Sequence, residues 1–84
     1  MEYVVYILYS SSHQKTYVGF TSDLIARFHS HSKYSNKGWT VHFRPWIVIH
    51  VEFFDSKKAA MYREKELKTG KGREFIKTLI QKLG

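Results

Sequence analysis

An α+β fold, sandwich-like, with a small three-stranded antiparallel sheet flanked by helices in the order ββαβαα, is the architecture this sequence predicts. Three observations carry it. Two runs near the N-terminus, Tyr3–Tyr9 and Lys15–Phe20, are dominated by β-branched and aromatic residues and are separated by a short polar loop. A third such run, Trp46–Phe54, has little polar interruption. After it the apolar period changes from that of a strand to that of a helix and remains helical almost to the end.

Taken in order, Tyr3–Tyr9 is apolar on both alternating sets of positions, which suits a strand covered on both faces. The loop Ser10–Gln14 is short enough to make the first two strands an antiparallel hairpin. A symmetric hairpin with a four-residue loop is expected to set Tyr6 opposite Tyr17 on one face. Gly19 then marks a close approach at the strand exit, either by the neighbouring helix or by a phosphate. Thr21 or Ser22 is the expected cap of the next helix, with Asp23 in its first turn. Leu24, Arg27, Phe28 and His31 share one stripe of that helix, which puts Arg27 and His31 on its packed side or border.

Residues Ser32–Trp39 read as a basic, aromatic loop, and Pro45 precedes the third strand. Asp55 or Ser56 opens a helix that runs to about Lys68 and is ended by Thr69-Gly70. Ala60, Glu64 and Leu67 lie on one of its faces. From Gly72 a last helix carries the stripe Phe75, Ile76, Leu79, Ile80 and Leu83.

The chain of 84 residues has the size of one domain, 1–84, near the lower limit for independent folding. It contains no cysteine, which removes disulfides, thiolate metal sites and cysteine nucleophiles. There is no apolar run of membrane-spanning length and no signal-peptide pattern, so a cytoplasmic protein without membrane association is expected. The net charge of +7 favours a polyanionic partner, although much of the charge on a small basic protein is simply solvated.

Several residues stand out chemically. A carboxylate at Glu64 interrupts an apolar stripe and needs an ion pair or a cation; a structural salt bridge to Arg27 or Arg63 is one solution. The other is a single hard, largely hydrated cation shared with a substrate phosphate. Arg27 and His31 could together stabilise a phosphoryl transition state and move a proton. A tyrosine hydroxyl at Tyr6 or Tyr17 could act as a base only with a lowered pKa, for example beside a cation. His13, His42 and His50 have no ligand-like partners, and no P-loop, dinucleotide or serine-hydrolase motif is present.

The ordered set Val4-Val5-Tyr6, Tyr17-Val18-Gly19, Arg27 with His31, and Glu64 followed by Leu67-Lys68 resembles the GIY-YIG nuclease family over about residues 3 to 68. It is most similar to the small stand-alone bacterial members, which are like the N-terminal nuclease domain of the bacterial excinuclease. The resemblance implies a GIY-YIG-type endonuclease hydrolysing DNA phosphodiester bonds, in repair or the processing of branched DNA, with one Mg²⁺ or Mn²⁺ ion. By the same resemblance, Tyr6, Tyr17 or a water they orient deprotonates the nucleophile, and Arg27 stabilises the pentavalent phosphate. Glu64 holds the metal and His31 assists proton transfer.

This sequence departs from the family pattern at Val4, where the first motif has glycine, and at Phe20, where excinuclease relatives often carry lysine. The last helix has no matching asparagine, and a protein without a second DNA-gripping domain is expected. DNA contacts are therefore expected from Gly19, Lys33, Lys37, Arg44, Lys68, Lys71 and Arg73, near the sheet face that carries the tyrosines. Without a specificity module, selectivity is either absent or supplied by a protein partner. Two other readings stay open: a non-catalytic nucleic-acid-binding module of the same fold, and a small interaction protein that docks through Trp39, Trp46 or the last helix.

Overall fold

In a computed structural model, residues 3–29 and 42–83 are described, with the backbone alone at positions 28 and 29. The expected order is present as β1 (Tyr3–Ser10), β2 (Lys15–Thr21), α1 (Leu24–His29), β3 (Ile47–Phe54), α2 (Lys57–Leu67) and α3 (Gly70–Gln81). The three strands form one antiparallel sheet in the order β2-β1-β3. As the middle strand, β1 is covered on both faces, which is why both of its alternating sets are apolar.

One face presents Val5, Ile7 and Val18 to Ala60 and Leu67 of α2 and to Ile76 of α3, and this is the larger core. The opposite face holds Tyr6, Leu8 and Trp46, with Tyr17, Leu24, Phe43 and Val51 packed around them. A bulge lies where β3 crosses Ile7 and Leu8: Ile7 pairs with His50 and Leu8 with Val48. The extra residue, Ile49, joins the larger core.

The hairpin register differs from the expected one by two residues. Its four-residue loop is Ser11–Gln14, so Ser10 pairs with Lys15, Tyr6 with Gly19, and Tyr17 with Leu8. Gln14 closes the turn in the left-handed region, at φ 54°. A shift of two keeps every side chain on its own face, so Tyr6 and Tyr17 remain neighbours, now diagonally.

Two helix starts also differ. Asp23, and neither Thr21 nor Ser22, caps α1: its Oδ1 accepts from the Ala26 N–H at 3.1 Å. The Thr21 hydroxyl accepts one step earlier, from the Asp23 N–H at 3.0 Å. Ser56 caps α2, accepting from the Ala59 N–H at 3.1 Å. Thr69 does more than end α2. Its hydroxyl donates to the Glu66 carbonyl at 2.7 Å and accepts from the Gly72 N–H at 3.4 Å, so it also caps α3. The last helix therefore begins at Gly70, two residues before the expected Gly72. Gly72 is buried where α3 crosses the end of α2, and a Cβ there would collide with the Leu67 backbone.

Trp46 is only 3% exposed and belongs to the smaller core, so it does not offer the partner contact considered from sequence. The stripe of α3 is turned to the sheet, with Leu83 alone among its five members exposed. Trp39 lies outside the described residues. No helix among the described residues is long and apolar enough to cross a membrane.

Candidate active site

Pairing Tyr6 with Gly19 places the tyrosine ring across the neighbouring strand. A Cβ on Gly19 would lie 2.6 Å from the Tyr6 hydroxyl and 3.0 Å from the Tyr17 ring. The space that glycine leaves is thus filled from within the protein: it admits a phenol, and Gly19 itself is buried. The two tyrosine rings lie 6.2 Å apart, tilted by 35°. Tyr6 is 1% exposed, whereas Tyr17, nearer the hairpin turn on the edge strand, is half-buried.

Arg27 approaches from α1 and hydrogen-bonds the Tyr6 hydroxyl. Its side chain is exposed, which puts Arg27 at the border of the packed stripe and not within it. Of the four α1 side chains described, Leu24 reaches the smaller core, and the exposed Arg27 extends from the same helix to Tyr6. Arg27 also faces Lys57 across a cleft of about 590 Å³ bounded by Phe20, Thr21 and Asp23.

Glu64 comes from α2, on the stripe between buried Ala60 and Leu67, with 19% of its side chain exposed. The salt bridge considered for it lies elsewhere. Arg63 points to the other side of α2, where Nε and Nη2 hold Glu52 at 2.8 and 2.9 Å and Nη1 holds Glu66 at 2.7 Å. Glu64 instead meets Lys68, one turn on, at 3.6 Å. That separation exceeds the usual 2.7–2.9 Å of a charge-assisted hydrogen bond, so the carboxylate is loosely committed.

Electrostatics link these groups. Burial is the main reason that the Tyr6 phenol is held well above its ordinary pKa, and Tyr17 and Glu64 push in the same direction. Arg27 opposes them through its charge and its hydrogen bond without reversing the outcome. Tyr6 is therefore a neutral hydroxyl, and the lowered pKa required of a tyrosine base is not found there.

Of the expected basic contacts, Lys68 and Arg73 line a groove with Thr16, Tyr17 and Val18 at the β2 edge. Arg44 is half-buried in the segment leading to Trp46, and Lys71 is exposed on the first turn of α3. His31, Lys33 and Lys37 lie outside the described residues. His13 is engaged with the Ser10 and Ser12 hydroxyls at 3.3 and 3.0 Å, and His50 with Glu52 at 2.8 Å. No group of three or more His, Asp or Glu side chains with metal-binding geometry occurs among the described residues. The remaining donor set, one loosely paired carboxylate at a basic rim, fits a single weakly held, hydrated cation and does not fit a two-metal centre.

A ββαβαα fold in which the motif tyrosines pack together, Arg27 bonds Tyr6 and the charge of Glu64 is felt at the same phenol defines a class, and comparison agrees. Residues 2–77 match the GIY-YIG catalytic domain, and the chain belongs to that family, whose members are generally nucleases. Among small relatives, it is 32% identical over 66 residues to the UPF0213 protein SH2523 of Staphylococcus haemolyticus, covering 79% of this chain and 80% of that one. It is 35% identical over 68 residues to the UPF0213 protein NP_0776A of Natronomonas pharaonis, covering 81% and 79%. The solution NMR structure of the UPF0213 protein BH0048 from Bacillus halodurans superposes with a TM-score of 0.55 at 28% identity, covering 94% of this chain and 85% of that one.

Proposed function

We propose that this protein is an endonuclease hydrolysing DNA phosphodiester bonds, with Glu64 as the protein ligand of one Mg²⁺ or Mn²⁺ ion. The observation that carries the reading is the Arg27 hydrogen bond to the Tyr6 hydroxyl beside the Tyr17 ring, at a phenol that also feels the charge of Glu64 from a second helix. Such an ion supplies charge neutralisation at the phosphoryl oxygens and acidifies bound water. Arg27, already aimed at the Tyr6 hydroxyl, is placed to hold the charge that develops on a pentavalent phosphorus. Tyr6 stays protonated and positions Arg27, while Tyr17, half-exposed at the strand edge, orients the attacking water. The assignment divides two tyrosines that sequence alone leaves equivalent. The setting we propose is cytoplasmic, in repair or the processing of branched DNA.

The test is nicking of supercoiled plasmid and of a branched oligonucleotide, with Mg²⁺, Mn²⁺ or chelator. Glu64→Gln and Arg27→Ala should each lower cleavage by about 10²-fold or more. Cleavage that survives both changes would remove this site from consideration. Salt-sensitive DNA binding without any metal-dependent cleavage would favour the binding-module reading.

A further inference from the structure

The groove beside Tyr17 continues beyond the reaction centre. Its first part, about 330 Å³, is lined by Thr16, Tyr17, Lys68 and Arg73 over a floor of Val18, Leu67 and Ile76. A second part, about 300 Å³, is lined by Thr16, Arg73, Ile76, Lys77, Ile80 and Gln81. Thr16, Arg73 and Ile76 border both, so the two parts form one channel along the seam between β2 and α3.

No acidic residue lines either part, and neither Arg73 nor Lys77 has a carboxylate partner among the described residues. Arg73 and Lys77 lie one helical turn apart, roughly 6 Å along the axis, which is far enough to meet separate phosphates. Beyond Tyr17 the floor is aliphatic. Such a floor can take the apolar face of a sugar but offers no aromatic platform for a base.

We infer that the β2–α3 seam is a binding track for the sugar–phosphate backbone of a nucleic-acid strand, held by Thr16, Arg73 and Lys77 and leading to Tyr17. The inference rests on the proposed nuclease reading, because the strand is the one that reaches Glu64. It adds Thr16 and Lys77 to the binding residues and makes this part of the contact indifferent to base sequence. Phosphate contacts of this kind fix position without reading sequence.

The experiment is fluorescence-anisotropy titration of a labelled mixed-sequence DNA duplex, in chelator, over a range of salt concentrations. It compares wild type, Arg73→Gln with Lys77→Gln, the charge-keeping pair Arg73→Lys with Lys77→Arg, and Lys65→Ala on the outer face of α2. Circular dichroism confirms folding, which substitutions at two exposed positions should leave intact. The neutral pair should flatten the slope of log K against log salt by about 2 and weaken binding by several tens-fold at 0.1 M salt. The charge-keeping pair and Lys65→Ala should keep the wild-type slope.

An unchanged slope in the neutral pair would overturn the track, as would a wild-type affinity that ignores salt. Poly-glutamate binding as tightly as DNA, with the same loss in the neutral pair, would also overturn it. Parallel nicking assays separate the two readings. A lost slope without any metal-dependent cleavage leaves the track standing and the nuclease reading fallen, and Glu64-dependent cleavage with an unchanged slope does the reverse.

Discussion

Tyr6 and Gly19 are cross-strand partners, and the phenol of one occupies the volume that a side chain on the other would need. The two motifs that bear these residues are thus one packing unit. The glycine is the condition for a hydroxyl to lie over the edge strand, where Arg27 hydrogen-bonds it.

Substituting Gly19→Ala should therefore displace Tyr6 before it affects anything else. The added methyl would sit 2.6 Å from the hydroxyl and 2.8 Å from the ring carbon that bears it. Overpacking of this kind costs about 1–3 kcal/mol. Chemical denaturation should show that loss, and the double change Gly19→Ala with Tyr6→Phe should recover part of it, because the clashing oxygen is gone.

The raised pKa of Tyr6 has a stability consequence at alkaline pH. Its folded-state value lies above the unfolded one, near 10, so its contribution is fully present below about pH 10. The contribution is lost as pH rises through the folded value, because ionisation would place a charge on a buried oxygen. Thermal melts between pH 8 and 11 should fall at the alkaline end for the wild type and fall less for Tyr6→Phe.

At the acid end the sensitive group is Glu52. The Arg63 hydrogen bonds, more than those from His50 or either charge, hold its carboxyl below the usual range against the opposing effect of partial burial. A depressed folded value means stability that is present above the unfolded pKa of 4.5 and lost as pH falls through the folded one. Glu52→Gln should lower the melting temperature at neutral pH and flatten the decline below pH 4.5.

Gly72→Ala should be the costlier of the two glycine changes. At Gly19 the obstacle is the end of a side chain, whereas at Gly72 it is the main chain of Leu67, which cannot turn aside. A loss at or above the upper end of the usual overpacking cost, about 3 kcal/mol, is expected. Thr69→Ala, which removes only the shared cap, should cost about 1 kcal/mol in the same unfolding experiment.

The sequence made the elements legible because their patterns are local. Both faces of Tyr3–Tyr9 are apolar, and the spacing of Ala60, Glu64 and Leu67 puts a carboxylate between two residues that are buried. What stayed hidden was set at a distance or by ambiguous signals. The register depended on where the turn closes, which the left-handed Gln14 decides and which composition does not reveal. Thr69-Gly70 is a normal stop signal for a helix, and nothing in the letters distinguishes a stop from a threonine that ends one helix and starts the next. The partner of Arg63, Glu52, lies on a different element and is invisible to helical periodicity, which does offer the observed neighbours Glu66 for Arg63 and Lys68 for Glu64. Arg27 fell on an apolar stripe, and a stripe alone does not say which of its members is packed and which, like this exposed arginine, lies at the border and reaches in only with its tip.

Thr69 belongs to two helices at once, so the chain has no slack at that joint. One inserted residue would turn α3 by about 100° relative to α2. Ile76 would leave the core and Arg73 would swing away from Tyr17. The hairpin loop Ser11–Gln14, by contrast, lies at the surface with exposed side chains and can lengthen without moving either helix. Chain length is therefore as strictly specified at one point of this fold as residue identity is at another, and insertions between Glu64 and Arg73 should be selected against even where every original side chain is kept.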